Sequence, residues 1–332
     1  MGSKTLVLNY RALGPTDWIS IAETIINDVG SCVIIFVSSH KGSTPRETGT
    51  WVVVGTEHVV GTLGGGEIER SAIEIAKEIL DGRLVFARKI KQFKLGPDLD
   101  QCCGGAMAVL IEPLDQTALE WLGAARSIVA NKKEGRIIFS VTETSEPPKL
   151  VEGPQVRLSA GLSEVHIQEL MDQRPQITVY GAGHVGRAVA TICAALPVKI
   201  LMVDSRDTEL AKLPKISNIK TECPENPVLY AKDMGYTDAV LVMTHSHGLD
   251  YRLCQTLLEK KGLKYFGLIG SKTKAMKFRR ALKLEGKTTQ QIADLICPIG
   301  LEGPKGKEPG VIAISVLSEL LKKIQGWNNV NE

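Results

Sequence analysis

"VYGAGHVGRAVA", residues 179–190, decides the fold of the second half of this chain. It supplies Gly181, Gly183 and Gly186 as G-x-G-x-x-G, after a predicted strand ("QITVYGAG") and at the opening of a predicted helix ("HVGRAVATICAAL"). That is the context a dinucleotide fingerprint requires. The first glycine permits the tight turn, the second lets backbone N–H groups approach a phosphate, and the third lets helix and strand pack closely. The helix dipole favours the anion. Asp204 ends the next strand, "VKILMVD", where an acidic side chain is expected to bond a ribose 2′-hydroxyl in an NAD-type site.

Outward from this loop, strands and helices alternate: "DAVLVMTH", then "LDYRLCQTLLEKK", "KYFGLIG" and "KTKAMKFRRALKLEG". Such alternation predicts a doubly wound parallel sheet, whose ligands bind at the carboxyl ends of the strands. Three further candidates fall there. His245 and His247 follow one strand, with Asp250 three residues on. They read either as helix-capping loop residues or as ligand and acid–base contacts, and no neighbour completes a zinc site with them. In "LIGSKTK", Ser271, Lys272 and Lys274 open a helix and suit an anion, or are simply a solvated helix start.

The first half reads as a mixed α+β unit. Strands are expected at 31–39, 50–55, 83–93, 106–113 and 136–144, with helices from near Glu67 and across 115–134. Past Ser145 the text "SEPPKLVEGPQVRLSAGLSE" is rich in Pro, Gly and Ser. The expected organisation is therefore an α/β chain: an α+β domain over 1–145, a linker over 146–174, and a Rossmann-like domain over 175–332. Within the first domain Arg46 lies among turn formers in "KGSTPRETGT", and Gly64, Gly65 and Gly66 precede a helix carrying Glu67. Three glycines before a helix suit either an anion nest or a tight turn that needs positive φ.

Totals narrow the class. The chain has 332 residues, 43% hydrophobic and 23% charged, with a net charge of +3 and no apolar run long enough to span a membrane. The basic residues read as interleaved with acids, which argues against a nucleic-acid surface. Seven scattered cysteines and no leader-like N-terminus fit the cytoplasm, with free thiols.

Two of those cysteines, Cys102 and Cys103, are adjacent in "LGPDLDQCCGGAM", between an acidic turn and two glycines. A disulfide between neighbours would be strained, because bridged Cα atoms ordinarily lie farther apart than one trans-peptide step. The pair reads as a soft metal ligand, as a persulfide-carrying nucleophile, or as two small buried hydrophobes.

Together, "GSTPRETG", "GTLGGGEIE", "LGPDLDQCCGG", "VYGAGHVGRAVA", "THSHGLD", "GLIGSKTK" and "CPIGL" resemble, in order and across nearly the whole length, the XdhC/CoxI accessory proteins of molybdenum hydroxylases. The resemblance implies a maturation chaperone. Its cargo would be the molybdenum cofactor in its molybdopterin form, and its partners apo-xanthine dehydrogenase or a related molybdenum hydroxylase and a cysteine desulfurase acting as sulfur transferase. Self-association into a homo-oligomer is also expected. Cys102 or Cys103 would contact the molybdenum; Gly181, Gly183, Gly186, Ser271 and Lys272 would lie on the phosphate side. Ser246 replaces an acid found in many relatives, and "PIGLEGPKGK" also departs from their pattern. Two rival functions remain at this stage, an NAD-dependent oxidoreductase and a non-catalytic assembly scaffold. A xanthine dehydrogenase itself is not expected, because the cysteine clusters of iron–sulfur centres are missing from the text.

Overall fold

The computed structural model describes residues 13–42, 44, 46–94, 105–131, 133–142, 146–153, 165–172, 174–301 and 303–325. The chain forms two compact units that divide between Gln173 and Arg174.

The first unit is built on β1 (Ser31–Lys41), β2 (Trp51–Val54), β3 (Val59–Gly61), β4 (Lys89–Lys94) and β5 (Ala106–Asp115), in the antiparallel order β3-β2-β1-β5-β4. Strand alternation divides β1 between two cores. Cys32, Ile34 and Phe36 face α1 (Asp17–Val29) and α3 (Leu119–Ala130), while Val33, Ile35 and Val37 face α2 (Gly66–Leu80). Helix α1 was not anticipated, although Trp18, Ala22, Ile25 and Ile26 recur at helical spacing and Gly30 ends it at φ 93°.

Two expectations are corrected here. Of the stretch 83–93, only β4 pairs; the residues before it turn back onto α2, leaving Val85 and Phe86 exposed. The stretch 146–174 is no linker either. It carries β7 (Lys149–Glu152) and β8 (Val165–Glu169), which flank β6 (Gly135–Ser140) in a three-stranded antiparallel sheet belonging to the first unit. Short strands hidden in Pro/Gly-rich text lack the long alternation that marks a strand. Arg88 ties this small sheet to the large one. It donates to both carboxylate oxygens of Glu112 on β5 (2.6 and 2.9 Å) and to the carbonyls of Ser140 (2.9 Å) and Glu146 (3.0 Å).

The second unit is the doubly wound domain anticipated from its glycine loop. Its strands are β9 (Gln176–Tyr180), β10 (Lys199–Val203), β11 (Ile219–Glu222), β12 (Ala239–Val242), β13 (Tyr265–Leu268) and β14 (Leu295–Ile296), all parallel in the order β11-β10-β9-β12-β13-β14. Counted within the unit this is 3-2-1-4-5-6, the dinucleotide-fold order. Strands such as "AVLV" are buried on both faces, as a parallel sheet covered by helices requires. Helices α4 (His184–Cys193) and α10 (Pro309–Gln325) cover one face. The other is covered by α6 (Pro227–Asp233), α7 (His247–Leu257), α8 (Lys272–Leu284) and α9 (Thr289–Asp294), the short α5 (Asp207–Leu210) lying just after β10. Strand order reverses between β9 and β12, which opens a crevice beyond their carboxyl ends. Among the described residues no helix is long and apolar enough to cross a membrane.

Candidate functional site

The glycine loop sits at this reversal, pinned at both ends and open in the middle. Gly181 has φ 114°, and a Cβ there would lie 2.4 Å from the Met243 carbonyl oxygen in the chain leaving β12. A Cβ on Gly186 would lie 2.0 Å from the Gly181 carbonyl oxygen. Both positions exclude any side chain. Gly183, by contrast, caps α4 at φ −68°, ψ −170°, offers no side chain to its first turn, and has no atom within 4 Å of where a Cβ would stand. No side chain caps the first turn of α4 and the space beside Gly183 is open, as a phosphate needs.

Asp204 already has partners within the fold. Only 5% exposed, it accepts from the Ala182 amide (2.8 Å), from the Arg206 amide (3.0 Å), and from Nε (2.8 Å) and Nη2 (2.7 Å) of Arg206. Burial alone would raise its carboxyl, but the Arg206 guanidinium and the two amides hold it below its ordinary value. The carboxylate thus fastens the glycine loop to β10. A ribose diol could reach it only by displacing Arg206. Sequence reading missed Arg206, although an arginine two residues past a strand-end acid was visible. Arg187 adds a second clasp, donating to the Ala182 carbonyl (3.0 Å) and pairing with Glu209. Between loop and strand ends lies a narrow cleft bordered by Gly181, Asp204, Ser205, Pro227, Thr244 and His245.

Beyond β12, Ser246 caps α7, accepting from the Leu249 amide at 3.3 Å, while His245, which borders the cleft, and His247 are both exposed. Asp250 stands in the first turn of α7, as the helix-capping reading places it. It is wholly buried and accepts from the Thr244 amide (3.0 Å), the Thr244 hydroxyl (2.7 Å) and Lys274 Nζ (2.6 Å). Lys274 also donates to the Ile269 carbonyl (2.9 Å), and folds back over Gly270, where a Cβ would meet it at 2.7 Å. This buried pair joins the first turns of α7 and α8, so neither charge faces a ligand. Ser271 caps α8 through the Lys274 amide (3.1 Å), and Lys272 is exposed at the start of the helix.

In the first unit Gly64, Gly65 and Gly66 all have positive φ (108°, 78° and 71°), as a nest requires. The nest is already filled. Glu69 Oε2 accepts from the Leu63 amide (2.7 Å), the Gly65 amide (3.0 Å) and the Thr62 hydroxyl (2.6 Å). Glu67 turns outward to Arg70, whose hydrogen bonds lower its carboxyl. Arg46 is exposed on the loop between β1 and β2. Cys102 and Cys103 lie outside the described residues. The five described cysteines are unbridged and all but Cys223 are buried, with burial pushing the thiols of Cys32 and Cys193 up to about 12. Among the described residues no group of three or more His, Cys, Asp and Glu is placed to hold a metal.

One buried group escaped sequence reading altogether. His166 on β8 is 2% exposed, stacks on Phe36 with ring centroids 5.3 Å apart, and has no partner for Nε2. Desolvation lowers its pKa to about 4, against a small opposing pull from Gln168.

Two family models match this chain: residues 177–320 match the XdhC Rossmann domain, and residues 26–87 match the XdhC and CoxI family. An Escherichia coli (strain K12) protein described as "Uncharacterized protein YqeB" is 26% identical over 290 residues, 85% of this chain. The chain spans only 41% of that relative's length. A crystal structure from Bacillus halodurans described as a xanthine dehydrogenase shares the fold with a TM-score of 0.73 at 19% identity, over 96% of this chain and 98% of that one.

Proposed function

Because the chain belongs to the XdhC and CoxI family, we propose that it is an accessory protein for xanthine dehydrogenase-type molybdenum hydroxylases, which holds the molybdenum cofactor as cargo during sulfuration and insertion. The observation that carries the cargo reading is the open space at Gly183, between two glycines that tolerate no side chain. A phosphate there meets the uncapped N-terminus of α4. The molybdenum cofactor has a phosphate tail, so the residues present fit that end of it. At the other end the cargo presents molybdenum, for which a thiolate from Cys102 or Cys103 is the soft ligand. Cytoplasmic location, self-association and a cysteine desulfurase partner belong to the same proposal.

The Asp204–Arg206 pair weighs against the rival oxidoreductase, since the acid that NAD ribose would use is occupied from within the protein. The test is activation of an apo-hydroxylase by cofactor-loaded protein. Cys102→Ala and Cys103→Ala, singly and together, are expected to abolish activation while leaving the circular dichroism spectrum unchanged. Full activation by the double variant would refute a thiol role, and turnover of a substrate with NAD by the purified chain would replace the reading with an oxidoreductase.

A further inference from the structure

Helix α8 concentrates charge in a way the rest of the chain does not. Lys272, Lys274, Lys277, Arg279, Arg280 and Lys283 place six cations in thirteen residues without one acid, while the whole chain is only +3, so the remainder is net negative. This corrects the expectation that basic residues are interleaved throughout. Two of the six serve the fold: Lys274 pairs with Asp250, and Arg279 donates to the Leu295 and Cys297 carbonyls (3.3 and 3.4 Å). The other four are exposed, and among the described residues none meets an acid. Ala275 and Leu282 turn inward. At helical spacing Met276, Lys277, Arg280, Lys283 and Leu284 then share the outward face, with Lys272 at its margin. Met276 is 65% exposed and Leu284 80%.

We propose that this outward face of α8 is a docking surface for an acidic, partly apolar patch on the client hydroxylase; the partner's identity rests on the function proposed above. Four unpaired cations attract an acidic surface and speed encounter. Exposed Met and Leu between them favour a protein over a phosphate backbone, which offers nothing apolar to bury. The position matters as well. Helix α8 starts at the carboxyl end of β13, the same edge of the sheet that carries the glycine loop, so a partner seated along it reaches that edge at Lys272.

The test is equilibrium binding of full-length protein to an apo-hydroxylase, for wild type and for Lys277→Glu/Arg280→Glu/Lys283→Glu, with cofactor binding measured in parallel. The variant is expected to weaken hydroxylase binding by about tenfold or more. Wild-type binding should itself weaken between about 50 mM and about 300 mM salt, as screening shortens the reach of charge. A variant that binds the hydroxylase as wild type does overturns the surface and leaves the cargo reading standing. Wild type that binds cofactor but never the hydroxylase overturns it too. If neither is bound, the proposed function itself fails and takes this inference with it. Tighter binding to tRNA or to phosphatidylserine vesicles, lost in the variant, replaces the protein partner with a nucleic acid or a membrane.

Discussion

Two glycine-rich turns join strand to helix in this molecule, and they have opposite fates. At Gly64–Gly66 the nest closes on the protein's own Glu69, whereas at Gly181–Gly186 the middle of the loop stays open. Both stretches satisfy the local rule for an anion site. The difference lies three residues beyond the last glycine of the first nest, where a carboxylate reaches back along the helix it helps to start. In the second loop the nearest acid, Asp204, binds the amide of Ala182 and leaves the space beside Gly183 clear. A glycine nest thus reports a capacity for anions, and the acids around it decide whether that capacity is spent within the fold.

The harshest way to break this contrast is Gly186→Val. A side chain there meets a carbonyl oxygen, so the second unit is expected to lose more than about 4 kcal/mol. Thiol labelling of Cys193, Cys254 and Cys297 in urea reports that unit. Lys274→Met comes next. It leaves Asp250 buried with only Thr244 for company, at an expected cost of about 3–5 kcal/mol, seen in the same assay. A midpoint unchanged by this variant would show that the pair does not hold α7 to α8.

Acid separates the two units by a different route. His166 is held neutral in the fold down to about pH 4, while an unfolded histidine titrates near pH 6.5. Between those values the unfolded chain binds the extra proton, so the first unit loses stability as pH falls through that window, by up to about 3 kcal/mol. The carboxylates lowered by pairing in the second unit, such as Asp204 and Asp238, lose their contribution only as pH falls below about 4. Three of the four tryptophans, Trp18, Trp51 and Trp121, lie in the first unit, so fluorescence in denaturant, read in a Trp327→Phe background, follows it. The stability difference between wild type and His166→Phe should be constant above about pH 7 and shift towards the variant as pH falls to about 4.5. Equal slopes for the two proteins would remove His166 from the account.

Glu69→Ala is the mildest of these and the most direct probe of the filled nest. It should cost about 1–2 kcal/mol, since two amides and a hydroxyl lose their acceptor where water can partly replace it. It should also let millimolar phosphate raise the melting temperature of the first unit, which phosphate leaves unchanged in wild type. No response to phosphate in the variant would mean that the nest has no capacity of its own.

Much of the second unit was legible because its signals are local and dense: Gly181, Gly183 and Gly186 stand in a fixed spacing between an apolar strand and an amphipathic helix. The first unit was harder. Strands β7 and β8 are short and embedded in Pro/Gly-rich text, and they exist because β6 pairs with them, a tertiary fact that no window of sequence contains. The site divides the same way. That Gly183 is approachable follows from its spacing, but Asp204, Asp250 and Glu69 each had partners chosen by the fold, and an acid's partner cannot be read from its position alone. Lys274 was visible as a candidate for an external anion; only packing shows that its anion is Asp250.

The central claim is that the glycine loop holds the phosphate end of a molybdenum cofactor. The most direct measurement is anaerobic equilibrium binding of that cofactor to wild type and to Gly183→Val, with NAD titrated in parallel. The account predicts tight binding by wild type, a loss of about a hundredfold in the variant with an unchanged fold, and little affinity for NAD. Equal cofactor binding by the two proteins, or NAD bound tightly in its place, would contradict it.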